Sequence, residues 1–301
     1  MPRPALPVHR VLALNGVTLL YSLAGVLIRD LHLPALQVAG GRSLAALAVL
    51  LLVVFARRLN PLAVRSPRHW AALLVLGLLV AGNWYTYILS IQLAGVAVAV
   101  VALFTYPLIA ALIEPWVFGE RYQAVDLIGT AAVLAGVTLI VPSFTLTDRT
   151  FQGVALGVVS AACVAGFGIL SRRLVRTYPT TTVLFFQFAV PALLFGPFVG
   201  TGPLTGRDAG KLVLLGAGLT ALAQLLFVQS LRSVRMTLVA IVLSLQPLYT
   251  VLLAWVLLGD VPALRTVAGG AVICSAVLAV TLAHAYARRG EQRTTTVVAA
   301  E

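Results

Sequence analysis

The chain has 301 residues, of which 60% are hydrophobic and only 10% charged, and a formal net charge of +12. That balance lies far outside the range of a soluble globular domain and marks an integral membrane protein. The basic residues are almost all arginine and are spread over short connections, a pattern that fits membrane topology and excludes a nucleic-acid-binding patch.

In chain order, apolar runs fall at roughly 11–28, 35–56, 70–91, 94–118, 124–142, 152–171, 181–200, 211–231, 236–258 and 263–286. Each is close to the 20 or so residues that cross about 30 Å of hydrocarbon at 1.5 Å per residue, so the reading is all-α with ten transmembrane helices. Barrel strands would be about 10 residues long with alternating polarity, and no such alternation occurs. The first run follows Arg3 and Arg10 in the manner of a signal peptide, but it ends in Arg29 and Asp30 without a small-residue cleavage site and is read as a retained helix. Cys163 and Cys274 stand alone in the sixth and tenth runs without metal spacing, so they read as small core residues and no metal or other cofactor is expected.

Ten spans put both termini on one side, with the loops after the second, fourth, sixth and eighth helices. That side carries Arg3, Arg10, Arg57, Arg58, Arg65, Arg68, Arg121, Arg172, Arg173, Arg176, Arg232, Arg235, Arg288, Arg289 and Arg293. The other side has Arg29, Arg149, Arg207, Lys211 and Arg265, with Arg42 inside the start of the second helix. The bias predicts cytoplasmic termini. The organisation is then a cytoplasmic segment 1–10, a five-helix unit 11–142, a second unit 152–286, and a cytoplasmic tail 287–301 whose composition predicts disorder.

The two units repeat. Leu245 to Asp260, LQPLYTVLLAWVLLGD, lies 140 residues after TYPLIAALIEPWVFGE, which spans Thr105 to Glu120. In that single register Pro107 meets Pro247, Gly119 meets Gly259, Glu120 meets Asp260 and Gly129 meets Gly269. Earlier helices align with small shifts: Gly25 and Arg29 answer Gly168 and Arg172, and Pro34 answers Pro179. A duplicated unit with an odd number of helices enters the membrane from opposite sides, which predicts two inverted repeats and a transporter with its substrate site between them.

These residues resemble the EamA family of the drug/metabolite transporter superfamily. The resemblance covers both units and rests on P107LIAALIEPWVFGE120 followed by G129TAAVLAG136, and on P247LYTVLLAWVLLGD260 followed by G269GAVICSAVL278. Arg42, in GGRSLAALAVL, is similar to the family's helix-two arginine, whereas the equivalent place in the second unit is about Gln187, a departure from the pattern. Membership implies ten helices with cytoplasmic termini, a cavity shared by the halves, and export or exchange of small metabolites such as amino acids.

Pro107 and Pro247 each remove an N–H that would bond the carbonyl of Leu103 or Leu243, so both helices are expected to kink near mid-depth as a cavity wall or hinge; packing alone is the alternative. Polar residues within spans tend to face a bundle interior. Asn83, Trp84 and Tyr87 in the third run, Thr105 and Tyr106 in the fourth, Gln224 and Phe227 in the eighth, Ser244, Gln246 and Tyr249 in the ninth, and Asn15 and Ser22 in the first are therefore the substrate-cavity candidates. For Ser22 a bond to its own helix, and for Gln224 and Gln246 a role as interhelical glue, are equally open.

Glu120 and Asp260 follow glycines at helix ends and read as structural. Glu114 is the acid well inside a span and is a candidate proton site, a partner for a cytoplasmic arginine, or an acid at the inner membrane edge; Ala254 faces it in the repeat. Intramembrane catalytic pairs, metal-binding clusters and nucleotide-binding loops do not occur in the sequence, which argues against an enzyme and against direct use of ATP. The expectation is an inner-membrane secondary transporter, monomer or homodimer, embedded in lipid and taking a small-molecule substrate with a proton or an exchanged metabolite; a membrane structural or assembly protein, and after it an intramembrane enzyme, are the alternatives.

Overall fold

In a computed structural model of the chain, residues 8–118, 124–141, 145–227, 242–243 and 245–298 are described, and the regular elements among them are helices. They are α1 (Val8–Asp30), α2 (Ala35–Ala56), α3 (Pro67–Ala94), α4 (Val96–Leu103), α5 (Tyr106–Phe118), α6 (Ala124–Ile140), α7 (Arg149–Leu174), α8 (Thr180–Phe195), α9 (Gly206–Val213), α10 (Gln246–Leu258) and α11 (Leu264–Val298). A 3-10 turn at Gly196–Gly200 follows α8, and α9 continues as a π-helical stretch, Leu214–Leu222. Seven of the described helical segments are long and apolar enough to cross a membrane, and Leu127–Ile140 and Gln246–Leu258 are shorter apolar helices. Large apolar side chains such as Phe55 and Val256, both 74% exposed, point away from the bundle, as expected where lipid takes the place of water.

Local chemistry explains where helices begin and end. Pro34 and Pro179 are the N-caps of α2 and α8 with nearly identical backbone angles, −54°, 145° and −56°, 146°. The Asp148 carboxylate accepts from the amides of Thr150 and Phe151 at the start of α7, and Thr205 and Asp208 form a capping box on α9. Gly259 closes α10 with φ +69°, a left-handed conformation that a side chain would strain.

The fourth apolar run is interrupted where a kink is expected: α4 stops at Leu103, Phe104 and Thr105 form a turn and α5 starts at Tyr106, while Val96–Ile113 together remains one apolar segment long enough to cross a membrane. Pro107 and Pro247 both occupy the first turn of a helical element, where a missing N–H costs little. The chain reverses between α3 and α4 at the single residue Gly95, whose φ of +84° is natural only for glycine. At the other end of the chain, α11 runs through the segment read as a disordered tail and continues to Val298. That tail contains no proline, and Arg288, Arg289, Glu291, Gln292 and Arg293 are all good helix formers.

Packing joins the two units. Helix α3 lies along α7 and α8, α2 packs on α8 and on the π-helical stretch, α1 packs on α10, and α6 packs on α11. The last pair meets at glycines. A Cβ on Gly129 would strike Val280, one on Gly136 would stand 2.6 Å from Ile273, and one on Gly269 would stand 2.6 Å from Ile140 and 2.5 Å from the Gly136 carbonyl. Along this crossing residue numbers rise on α6 as they fall on α11, so the helices run antiparallel. The Gly129–Val280 and Gly269–Ile140 contacts also exchange under the 140-residue repeat.

Ionic contacts mark one end of the bundle. Lys211 Nζ lies 2.6 Å from the Asp30 carboxylate and Arg29 Nε lies 3.8 Å from Asp260. At the end where α3 begins, the Tyr178 hydroxyl accepts from the Arg65 amide and lies 2.7 Å from His69 Nδ1. Because the ion pairs are part-exposed, Asp30→Asn is expected to shift stability by no more than about 1 kcal/mol, a change readable by thermal melting in detergent.

Candidate functional site

Away from water a polar side chain needs a partner, and in the middle of this bundle the partners come from both units. The Tyr21 hydroxyl of α1 donates to Gln224 Oε1 at 2.5 Å, on the helical turn that follows the π stretch. Gln224 Nε2 donates in turn to Gln187 Oε1 of α8 at 3.3 Å, and Gln187 Nε2 donates to Ser171 Oγ of α7 at 3.0 Å. One helical turn before Gln224, Thr220 Oγ1 accepts from Arg42 Nε of α2 at 2.8 Å.

The π-helical stretch builds this arrangement. Its wider turn lets the Thr220 hydroxyl donate to the Leu215 carbonyl, five residues back, at 2.7 Å, which aims its lone pairs at Arg42. Gly216 sits directly against the Arg42 carbonyl and Ala45, a closeness that only glycine permits. The guanidinium carbon lies 4.4 Å from the centroid of the Trp84 ring, and that ring stacks on Phe188 with centroids 6.2 Å apart. Arg42 is thus 7% exposed, held flat by an aromatic face on one side and by a hydroxyl at one edge.

The residues singled out from the sequence separate into groups. Trp84, Tyr87, Gln224 and Phe227 belong to this central region: the Tyr87 hydroxyl lies beside Gly25, 3.4 Å from where a Cβ would stand, and Phe227 meets Tyr21 edge to face. Ser22 bonds its own helix at Thr18 and also reaches the Gln246 carbonyl at 3.3 Å, while the Tyr249 hydroxyl donates to Asn15 Oδ1 at 3.1 Å, so these four tie α1 to α10. Asn83 is turned to α7, where Nδ2 donates to Ser160 Oγ at 2.7 Å. Thr105 bonds the Ala102 carbonyl and Tyr106 packs edge-on against Phe104, both at the break between α4 and α5. Ser244 and the side chain of Glu114 lie outside the described residues.

Five members of the central chain were not among the cavity candidates: Tyr21, Arg42, Ser171, Gln187 and Thr220. Arg42 had a signal, a cation within a span. Thr220 had none, because its role depends on a π-helical turn that apolar periodicity does not reveal.

A multi-helix membrane bundle of two joined units, with polar side chains shared between them, is the build of a membrane transporter. The EamA-like transporter family matches residues 10–141 and again 151–282, and the chain belongs to that family. It is similar to the pseudopaline exporter CntI of Pseudomonas aeruginosa (strain UCBPP-PA14), with 25% identity over 264 residues, covering 86% of this chain and 91% of the exporter. It is also similar to the uncharacterized transporter YwfM of Bacillus subtilis (strain 168), with 28% identity over 221 residues, covering 71% of this chain and 72% of that one. A solved crystal structure superposes with a TM-score of 0.63 at 22% identity, covering 91% of this chain and 96% of the other, which is a likeness of fold.

Proposed function

We propose that the protein is a secondary transporter of a bacterial inner membrane that exports a small organic metabolite, an amino acid or similar amphipathic compound, by alternating access. In this reading ten spans form two inverted five-helix units with cytoplasmic termini, and the substrate lies between the units beside Tyr21, Trp84, Tyr87 and Gln224. The observation that carries it is the hydrogen-bonded chain crossing from α1 to the second unit through Tyr21, Gln224 and Gln187. Such bonds can be exchanged as two halves rock, which an apolar seam would not require. The exchangeable Gly129–Val280 and Gly269–Ile140 contacts support the inverted relation, since an antiparallel pair of equivalent helices implies a two-fold axis across them. The exporter among the relatives supports the direction.

Counterflow in liposomes tests the reading. Purified protein should exchange a labelled metabolite, and Tyr87→Trp or Gln246→Trp should each slow exchange at least about tenfold by filling the path while leaving the protein monodisperse. Undiminished exchange in both variants would reject this path. Glu114→Gln should remove any dependence of transport on a pH gradient, and an unchanged dependence would take Glu114 out of the coupling mechanism.

A further inference from the structure

Arg42 is a cation in the wrong place unless something anionic comes to it. It is 7% exposed, inside a helix long enough to span a membrane, and no carboxylate pairs with it among the described residues. The described acids are engaged elsewhere: Asp30 with Lys211, Asp260 with Arg29, and Asp148 and Asp208 as helix caps. Burying an unpaired guanidinium costs several kcal/mol, and arginine cannot escape by losing its proton at physiological pH.

The geometry of its contacts shows which part is left over. Nε is spent on Thr220 and one face of the plane on Trp84. The two terminal nitrogens have no hydrogen-bond partner among the described residues, and neither is fully enclosed. The Tyr87 hydroxyl, one helical turn along α3 from Trp84, also has no hydrogen-bond partner among the described residues, and it stands 3.4 Å from where a Cβ on Gly25 would lie.

We propose that Arg42 binds the carboxylate of the transported metabolite through its two terminal nitrogens, with Tyr87 donating a further hydrogen bond. The free edge of a guanidinium presents two parallel N–H groups at the spacing of carboxylate oxygens, the strongest and most directional pairing available to either group. Gln187, which holds the equivalent place in the second unit, is neutral and already bonded to Ser171 and Gln224, so one anionic group is bound per protein. The apolar part of the substrate then lies against Tyr87. The assignment rests on the transporter reading above and narrows its substrate to a carboxylate.

The test uses the full-length protein and two probe sets, the protein L-amino acids and their primary amides, first by thermal shift and then by counterflow in liposomes. Acids that stabilise and exchange should lose at least about tenfold in apparent affinity when amidated. Arg42→Gln should lose the same for the acid, Arg42→Lys should lie between, and Tyr87→Phe should lose about threefold. If Arg42→Gln does not yield monodisperse protein, the amide series and Arg42→Lys decide. Amides that exchange as well as acids, or Arg42→Gln protein that exchanges acids normally, would overturn the assignment and leave the transporter reading intact. Exchange of neither set by the unaltered protein would overturn both.

Discussion

Gly269→Leu is expected to reduce folded, monodisperse protein to less than about a tenth of the unaltered yield, and Gly129→Leu to do the same. At position 269 a Cβ would stand 2.5 Å from a backbone carbonyl and 2.6 Å from Ile140, so α6 and α11 would have to separate along their length. Overpacking a well-filled site costs about 1–3 kcal/mol and more where backbone must move, a large share of the total stability of a typical protein. Size-exclusion chromatography of detergent extracts measures this directly. Gly168→Leu is the control, because nothing lies within 4 Å of the Cβ it would add. Equal loss in all three variants would show that leucine harms the protein without regard to the crossing.

Trp84→Ala should destabilise the protein by about 3–5 kcal/mol, the usual range for removing a large buried aromatic. Trp84 is 7% exposed, stacks on Phe188 and carries the Arg42 guanidinium on its face. The ionic part can be separated from the packing part. Trp84→Phe keeps most of the buried area, and combining it with Arg42→Met in a double-mutant cycle should return a coupling of about 0.5–2 kcal/mol. Thermal melting in detergent gives all four corners of the cycle. Zero coupling would mean that the guanidinium rests on the ring without gaining from it.

Much of the architecture can be read from composition and repeats, because lipid leaves a chain few choices. Runs of about 20 apolar residues must be helices, and Pro34 and Pro179, matched in the sequence, both begin helices with nearly the same backbone angles. Continuity is harder to read. Pro107 marks where the fourth run is interrupted, but a proline is equally at home in a bent helix and in the first turn of a new one, so its presence alone does not choose between them. The site is less legible for a related reason. Trp84, Tyr87 and Gln224 are conspicuous as polar or aromatic residues within spans, whereas Thr220 resembles a dozen other small residues until the π-helical turn rotates it toward Arg42. Asn83 shows the converse: its polarity is as marked as that of Gln224, but its helical face is turned to Ser160 and the bond it makes there holds α3 to α7.

The glycine crossing between α6 and α11 has a consequence for how this chain can vary. Gly129 is filled mainly by Val280, with Leu108 of α5 3.1 Å from where its Cβ would stand, and Gly269 by Ile140, so side-chain volume at each glycine is limited chiefly by the residue on the opposite helix. Compensation should therefore be specific to the pair: Val280→Ala should rescue Gly129→Ala, and Ile140→Ala should rescue Gly269→Ala more weakly, because the Gly136 carbonyl also presses there. A change of volume on either helix at these positions is thus a change in the space allowed to the other.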